Sequence, residues 1–258
     1  IELFVQFSPP FANTFPVGGH CNEPLNHRLT RQKNMSKTIL ITGASKGIGF
    51  ALAQQFLNNG YSVIGTSRTG EIENLSHLNF TTLKLDLSEQ ETIIDFDKIL
   101  ESRNIEIDFL INNAGIGPDL DTLTPDKDSF KQTFDVNVTG TVFFTELLCK
   151  RIKNGGKIIN ISSKMGSIEL CERIDSVAYR MSKTALNMYS KILTNRLLDK
   201  QTIATIHPGW VRTTIAKDNI VNGRLSADES AIKIFNFVTS NFDTGIFWDI
   251  EAERKTEW

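Results

Sequence analysis

No stretch of this sequence approaches the ~20 consecutive apolar residues that a membrane-spanning helix requires. Excess charge is missing as well: 28 Lys and Arg against 30 Asp and Glu leave a formal net charge of −2, and the pI is near 6.1. A surface so balanced gives no electrostatic reason to expect nucleic acid or an anionic membrane as a partner. Cysteine is sparse and odd in number (Cys21, Cys149 and Cys171), so no disulfide framework is implied. Cys171 has no evident neighbour to activate its thiol. His20, Cys21 and His27 lack a fourth ligand and a recognised spacing, so no metal site is expected. These absences leave a soluble, cytoplasmic protein as the default expectation.

Residues 1–34 stand apart from the rest of the chain. They hold four of the seven prolines, show neither helical nor strand periodicity, and begin Ile1-Glu2. Glu2 and Pro9-Pro10 are unlike the basic start and unbroken apolar core of a signal peptide. The segment is expected to be a disordered extension or tag. Residues 35–258 are expected to form one domain, a size that a single large α/β core reaches.

Thr38–Ile41 is an apolar run that reads as a short buried parallel strand. Thr42-Gly43-Ala44-Ser45-Lys46-Gly47-Ile48-Gly49 follows it, and Phe50–Leu57 then repeats apolar residues at helical spacing. Asn58-Asn59-Gly60 stops that helix and Tyr61–Gly65 reads as a second strand. In this β-α-β unit Gly43 permits a tight turn, Gly47 lets the backbone approach a pyrophosphate, and Gly49 allows helix and strand to pack closely. The helix N-terminus faces the anion. Further along come a strand at Phe80–Leu85 ending at Asp86, a helix over 89–101, a strand at Ile107–Ile111 and a long helix within 127–152. A strand at Gly156–Ile161, a helix over about 176–198, a strand at Thr202–Ile206, a helix at Ala227–Ser240 and a last strand at Gly245–Trp248 complete the pattern. The alternation predicts a Rossmann-type, doubly wound parallel sheet with helices on both faces. Ligands in such sheets bind beyond the carboxyl ends of the strands, where Gly43, Asp86, Asn113, Ser163 and Pro208 fall. Asp86 would equally cap a helix start in Asp86-Leu87-Ser88-Glu89, and the two readings are compatible.

Tyr179-Arg180-Met181-Ser182-Lys183 places a phenol and an ammonium one helical turn apart on one face. A cation beside a phenol favours the phenolate and lowers the phenol pKa, which makes a general acid for a carbonyl oxygen or a base for an alcohol. Taken alone, such a pair is also what a surface helix offers by chance.

Taken in order, the glycine segment at 42–49, Asn112-Asn113-Ala114-Gly115, Ser162-Ser163, Tyr179 with Lys183, and Pro208-Gly209 resemble the short-chain dehydrogenases/reductases in their compact single-domain form, over about Lys37–Trp258. The resemblance implies reduction of an aldehyde or ketone to an alcohol by hydride transfer from a nicotinamide cofactor. Tyr179 would be the general acid/base, and Lys183 would lower its pKa and bind the nicotinamide ribose. Ser163, followed by Lys164-Met165-Gly166 as the family's serine is by x-x-Gly, would polarise the carbonyl. Asn137 resembles the family's helix asparagine that anchors a proton relay to Lys183, although a buried asparagine satisfying backbone groups is the plainer alternative. Cofactor contacts would come from Gly43, Ser45, Lys46, Gly47, Ile48 and Gly49, from Asp86 and Leu87 around the adenine, and from Asn113, Ala114 and Gly115. Pro208, Gly209, Val211 and Thr213 would close over the nicotinamide.

Thr66-Ser67-Arg68 after the second strand lacks the carboxylate that would hold an adenosine 2′-hydroxyl and repel a 2′-phosphate. Arg68, with Lys46 from the glycine loop, instead suits a 2′-phosphate, so NADP(H) is the expected cofactor. Ser163 and Tyr179 lie sixteen residues apart, which implies an insertion over 167–176 relative to the compact family. With His207-Pro208-Gly209-Trp210, this looks like the C-factor and sniffer-type carbonyl reductase branch, except that the glycine usual after that branch's last Asp is missing and Glu251-Ala252 stands nearby. That branch admits a second reading, an NADP(H)-binding regulatory protein with little turnover. The insertion could also cover the helical face through which many relatives pair, so a homo-oligomer, dimer or tetramer, stays open. Thr214–Ser226 is expected to be the substrate lid. Leu170, Cys171, Ile174, Trp210 and Ile215 would either line an apolar substrate pocket or merely pack.

Overall fold

In the computed structural model, which describes residues 36–258, β1 (Thr38–Ile41) has Ile39, Leu40 and Ile41 all fully buried. A strand apolar on both faces belongs in the middle of a parallel sheet covered on both sides. The extension expected at 1–34, with His20, Cys21 and His27, lies outside the described residues. Helix α1 (Gly47–Asn58) turns Ala51, Leu52, Ala53, Phe56 and Leu57 onto the sheet, a stripe at helical spacing. Strands β2 (Ser62–Ser67) and β3 (Phe80–Lys84) extend the sheet on one side of β1. Helix α2 (Gln90–Ser102) leads to β4 (Ile107–Asn112), which pairs with β1 on the other side.

Beyond β4 the chain runs as one rod through α3 (Lys127–Phe134), a π turn (Asp135–Gly140), α4 (Thr141–Leu148) and a 3-10 turn (Cys149–Arg151). Next come β5 (Ile152–Ile161), a 3-10 turn at Lys164–Gly166, α5 (Val177–Leu197) and β6 (Thr202–His207). Helices α6 (Lys217–Asn222) and α7 (Ala227–Thr239), with strands β7 (Ile246–Asp249) and β8 (Arg254–Lys255), complete the described chain. The sheet order is β3-β2-β1-β4-β5-β6-β7-β8, parallel throughout except for the antiparallel β7–β8 pair.

The expected doubly wound fold is therefore present, with three local differences. The long helix contains a π turn, and β5 begins at Ile152, ahead of the expected Gly156, pairing with β4 across a bulge, Ile107 with Ile152 and then Phe109 with Lys157. The segment Thr214–Ser226, expected as a substrate lid, carries a short helix, α6. Residues 254–255 add an antiparallel strand that the sequence pattern does not announce.

Two apolar layers flank the sheet. Phe56, with Leu52 and Ile234, fills the α1–α7 side, and Phe96, Phe144, Leu186 and Leu193 fill the α2–α4–α5 side. Each fully buried phenylalanine contributes about 1.5–3 kcal/mol by leaving water. One polar seam crosses the second layer: Asn112 Nδ2 donates to Thr145 Oγ1 and Asn160 Oδ1 (2.8 Å each), and Asn160 Nδ2 donates to Ser190 Oγ (2.7 Å). Buried amides joined in this way fix one register between the strands and α4 and α5.

At the π turn, Gly140 lies so close to Leu87 that a Cβ there would sit 2.6 Å from the Leu87 carbonyl carbon and 2.7 Å from its Cβ. Gly140→Ala is expected to cost about 1–3 kcal/mol by overpacking, read as a lower denaturant midpoint; an unchanged midpoint would show that the helix can slide away from Leu87.

Candidate active site

The carboxyl ends of β1, β4, β5 and β6 all open onto one cavity of about 830 Å³. Its position follows from the topology. Strand order reverses at β1 and β4, so the two crossovers diverge and leave a crevice beyond these strands. The crevice is stitched by side chains. Thr42 Oγ1 accepts from the backbone N–H groups of Asn113 and Ala114 (3.0 Å each), and Asn113 Nδ2 donates to the carbonyls of Thr42 (2.9 Å) and Gly43 (3.2 Å).

Gly43 and Gly47 have φ of +67° and +57°, a region that residues with a Cβ enter only at a cost. Gly49 is needed for a different reason: a Cβ there would lie 2.5 Å from Asn113 Nδ2. Gly49 is thus behind the cavity wall, whereas Gly43, Ser45, Lys46, Gly47 and Ile48 line it. Arg68, Asp86, Leu87, Asn113, Ala114 and Gly115 line it too, as do Pro208, Gly209, Val211 and Thr213. Thr213 reaches over Gly47, with its Cγ2 3.4 Å from where a Cβ would be. Asp86 accepts from Ser88 N (3.0 Å) and Ser88 Oγ (2.7 Å), so its carboxylate closes the turn before α2 instead of capping that helix. Asn113 spends its amide nitrogen on the β1 end and braces the glycine loop from behind.

Tyr179, Lys183 and Ser163 meet at the other end of this cavity. Lys183 is 4% exposed; its Nζ donates to the Ile161 carbonyl (3.0 Å) and lies 5.6 Å from the centre of the Tyr179 ring. Burial pushes the Lys183 ammonium down to about 8. Burial, with the charge of Asp119 adding to it, pushes the Tyr179 phenol up to about 12. Sequence spacing predicts a lowered phenol; here desolvation and the Asp119 charge raise it instead.

Of the two serines, Ser162 is committed, donating to Asn187 Oδ1 (2.6 Å). Ser163 Oγ accepts only a local bond, from Met165 N (3.1 Å), and faces the cavity. Asn137 sits in the π turn, a distortion frequent at functional sites, and is 1% exposed. Its side chain pairs with both backbone groups of Ile116, Oδ1 accepting from the N–H (2.9 Å) and Nδ2 donating to the carbonyl (2.8 Å). It does not line the cavity; it stands behind Gly115, where a Cβ would be 3.3 Å from Asn137 Oδ1 and 3.4 Å from Lys183 Nζ. Trp210 and Ile215 line the cavity mouth, with Leu120 and Met165. Leu170, Cys171 and Ile174 do not: they are exposed on the insertion, Ile174 at 79%.

Two residues were not singled out from the sequence. Asn187 follows Lys183 by one turn on the same face; besides receiving Ser162, it donates to the Gly166 carbonyl (3.1 Å), so it grips the loop on both sides of Ser163. The spacing Tyr179, Lys183, Asn187 was there to be read. Asp119 caps α5 by accepting from Ala178 N (2.7 Å) and Tyr179 N (3.1 Å). It lies some sixty residues away, and no local pattern marks it. Among the described residues no group of three His, Cys, Asp or Glu side chains could hold a metal ion, and no helix is long and apolar enough to cross a membrane.

A model of the short chain dehydrogenase family matches residues 37–222. A short-chain dehydrogenase of Penicillium roqueforti is 30% identical over 242 residues, which cover 84% of this chain and 94% of that protein. A Burkholderia multivorans protein, assigned to the short-chain dehydrogenases/reductases and crystallised with bound NADP, is 29% identical with a TM-score of 0.78, over 86% of this chain and all of the other. A carbonyl reductase of Pseudomonas aeruginosa is 28% identical with a TM-score of 0.73, over the same shares.

The wall behind Ser163 contains a partly buried histidine, His207, whose Nδ1 accepts from Lys164 N (3.3 Å). Lys164 Nζ pairs with the fully buried Asp249. Burial holds the His207 imidazole down to about 4, below its usual 6.5. Between those values the unfolded chain takes up a proton that the folded chain refuses, so stability is full above about 6.5 and drains as pH falls toward about 4. The melting temperature is expected to drop across that window and to drop less in His207→Gln; equal slopes in thermal melts of the two proteins would remove His207 as the cause.

Proposed function

We propose, on the premise that this chain belongs to the short-chain dehydrogenase/reductase family, that it is an NADP(H)-dependent oxidoreductase reducing an aldehyde or ketone to an alcohol. The observation that carries this reading is that Ser163, Tyr179 and Lys183 converge in the same cavity as the glycine loop. The residues present fit a dinucleotide. The glycine loop offers backbone N–H groups at the α1 N-terminus for the pyrophosphate. Lys183 has spent one of its three N–H donors on Ile161, and Gly115 leaves room beside it. When bound, the nicotinamide supplies the hydride.

The chain's own residues would supply orientation and a proton. A phenol with a pKa of about 12 stays protonated at working pH, so Tyr179 Oη can give its proton to the oxygen of the substrate as negative charge develops there. Ser163 Oγ would hydrogen-bond the same oxygen and stabilise that charge in a largely dehydrated site. Lys183 Nζ would hold the nicotinamide ribose and favour the phenolate left behind. Asn137 supports the strand-end loop through Ile116 and would link Lys183 to water. Ile116, Leu120, Met165, Trp210 and Ile215 give the substrate side of the cavity an apolar face beside the charged Asp121, Arg173 and Asp218, in keeping with a carbonyl compound of modest size.

NADP(H) is favoured over NAD(H) by Arg68 and Lys46, both exposed on the cavity rim, neither of which forms an ion pair among the described residues. The phosphate-bearing ligand reported for the Burkholderia structure supports the same choice. Ser67, in contrast, is 6% exposed and closes a turn by donating to the Glu71 carbonyl (2.8 Å), so selectivity is better tested at Arg68.

Two tests bear on this reading. Tyr179→Phe is expected to lower NADPH-dependent turnover of a panel of aldehydes, ketones and quinones by about 10²–10⁴-fold, with NADPH binding retained in a fluorescence titration. Undiminished turnover would refute the proton donor, and tight binding without turnover in the parent protein would favour the regulatory role. Arg68→Ala is expected to weaken NADPH binding by about 10–100-fold, as the loss of a charge-assisted hydrogen bond of about 1.5–3 kcal/mol, and to leave NADH binding nearly unchanged; parallel losses for both cofactors would sink the assignment.

A further inference from the structure

Helix α5 carries Tyr179 on its first turn, yet the residue at its N-cap position contributes no capping bond. Ser176 has φ +58°, a left-handed conformation unusual for a residue with a side chain. Its hydroxyl is turned away to accept from Asp121 N (3.1 Å), and its own N–H donates to the Thr122 carbonyl (2.8 Å). The exposed N–H groups of the first helical turn are met from elsewhere. Asp119 Oδ2 accepts from Ala178 N (2.7 Å) and Asp119 Oδ1 from Tyr179 N (3.1 Å). Asp119 is 2% exposed, and a carboxylate is kept at such depth by backbone donors and the positive end of a helix.

We propose that Asp119 is the positioning residue of the proton-transfer site: a carboxylate from the loop after β4 that caps the helix carrying Tyr179 and biases its phenol through its charge. This rests on the reading of Tyr179 as proton donor. A cap on the Tyr179 N–H fixes where the first turn of α5 starts, and so where the ring enters the cavity. The same negative charge disfavours phenolate, which agrees with the direction in which Asp119 moves Tyr179. Asp119 thereby adds to what burial does in keeping the donor protonated, while Lys183, one turn on, opposes it after the proton has left. Other charged groups also border this end of the cavity, Asp121 among them. Asp175 at the helix start pairs with Arg173 (2.5 Å) and Arg180 (2.9 Å), and His207 across the cavity is neutral above about 4. Asp119 also joins the substrate mouth to the catalytic helix, since Gly117, Pro118 and Leu120 on either side of it line the cavity.

The experiment compares Asp119→Asn and Asp119→Ala with the parent, each also in a Tyr179→Phe background so that the ultraviolet tyrosinate band of Tyr179 is obtained by difference. The amide keeps one of the two acceptor oxygens for the helix and removes the charge. It is expected to retain kcat within about threefold, to shift the Tyr179 tyrosinate rise to lower pH, and to move the alkaline limb of the reduction profile the same way. The alanine is expected to lose about tenfold or more in kcat with KM for the carbonyl little changed, since displacement of a reacting group is costly. A tyrosinate rise at the parent's pH in Asp119→Asn would overturn the proposal, as would a loss of kcat in both variants that merely follows a lowered melting temperature. The tyrosinate titration needs no turnover. If the parent reduces no carbonyl, the displacement still decides the role of Asp119, and the failure then belongs to the reductase reading alone.

Discussion

Lys183 Nζ is buried and donates to the carbonyl of Ile161, the last residue of β5, and this bond ties the N-terminal half of α5 to the end of the sheet. An ammonium so nearly excluded from water must find acceptors where the backbone offers them, and a strand end offers a carbonyl with no ladder partner beyond it. Once Lys183 is pinned there, Tyr179 one turn before it and Asn187 one turn after it are placed as well. Tyr179 reaches the cavity. Asn187 reaches Ser162 and Gly166, so the loop that presents Ser163 is held by the helix it faces. The distance between hydroxyl and phenol is thus a property of a single helix-to-strand register.

That register is protected from both sides. The amides of Asn112 and Asn160 run beneath it and tie β4 and β5 to α4 and α5. Asp119 closes the upper end by capping α5 from a loop that belongs to β4. The rear of the cleft is held by the last residues. Asp249 binds Lys164, Glu251 accepts from Trp210 N (3.2 Å) and pairs with Arg224 (2.6 Å), and a main-chain oxygen of Trp258 accepts from Ser167 Oγ (3.0 Å). Glu251 therefore fastens the loop after β6 to Arg224.

Much of the architecture was legible because parallel strands buried on both faces read as short apolar runs, and their crossovers repeat at helical spacing. The glycine segment was legible because steric exclusion leaves so few residue types able to occupy Gly43, Gly47 and Gly49. Arg68 and Lys46 could be weighed as a pair because both follow directly on elements whose ends were already placed. The π turn at Asp135–Gly140 was not legible, since its residues show the same periodicity as a helix and only the contact of Gly140 with Leu87 marks the distortion. The split between lining and supporting residues was equally hidden. Gly49 and Asn137 belong to the motifs but stand behind the cavity wall, whereas the apolar residues of the insertion face outward.

The sequence by itself determined the order of elements, the edge of the sheet where chemistry collects, and the residue types gathered there, because these follow from local periodicity and from backbone conformations few residues can adopt. Only the tertiary structure decided the electrostatics and the supports. The phenol of Tyr179 is raised and the ammonium of Lys183 lowered because both are stripped of water, which spacing on a helix does not reveal. Ser162 and Ser163 both border the cavity, but Asn187 claims the Ser162 hydroxyl and leaves that of Ser163 for a substrate. Asp119 caps a helix that begins some sixty residues later, and such a contact exists only once the chain has folded back on itself.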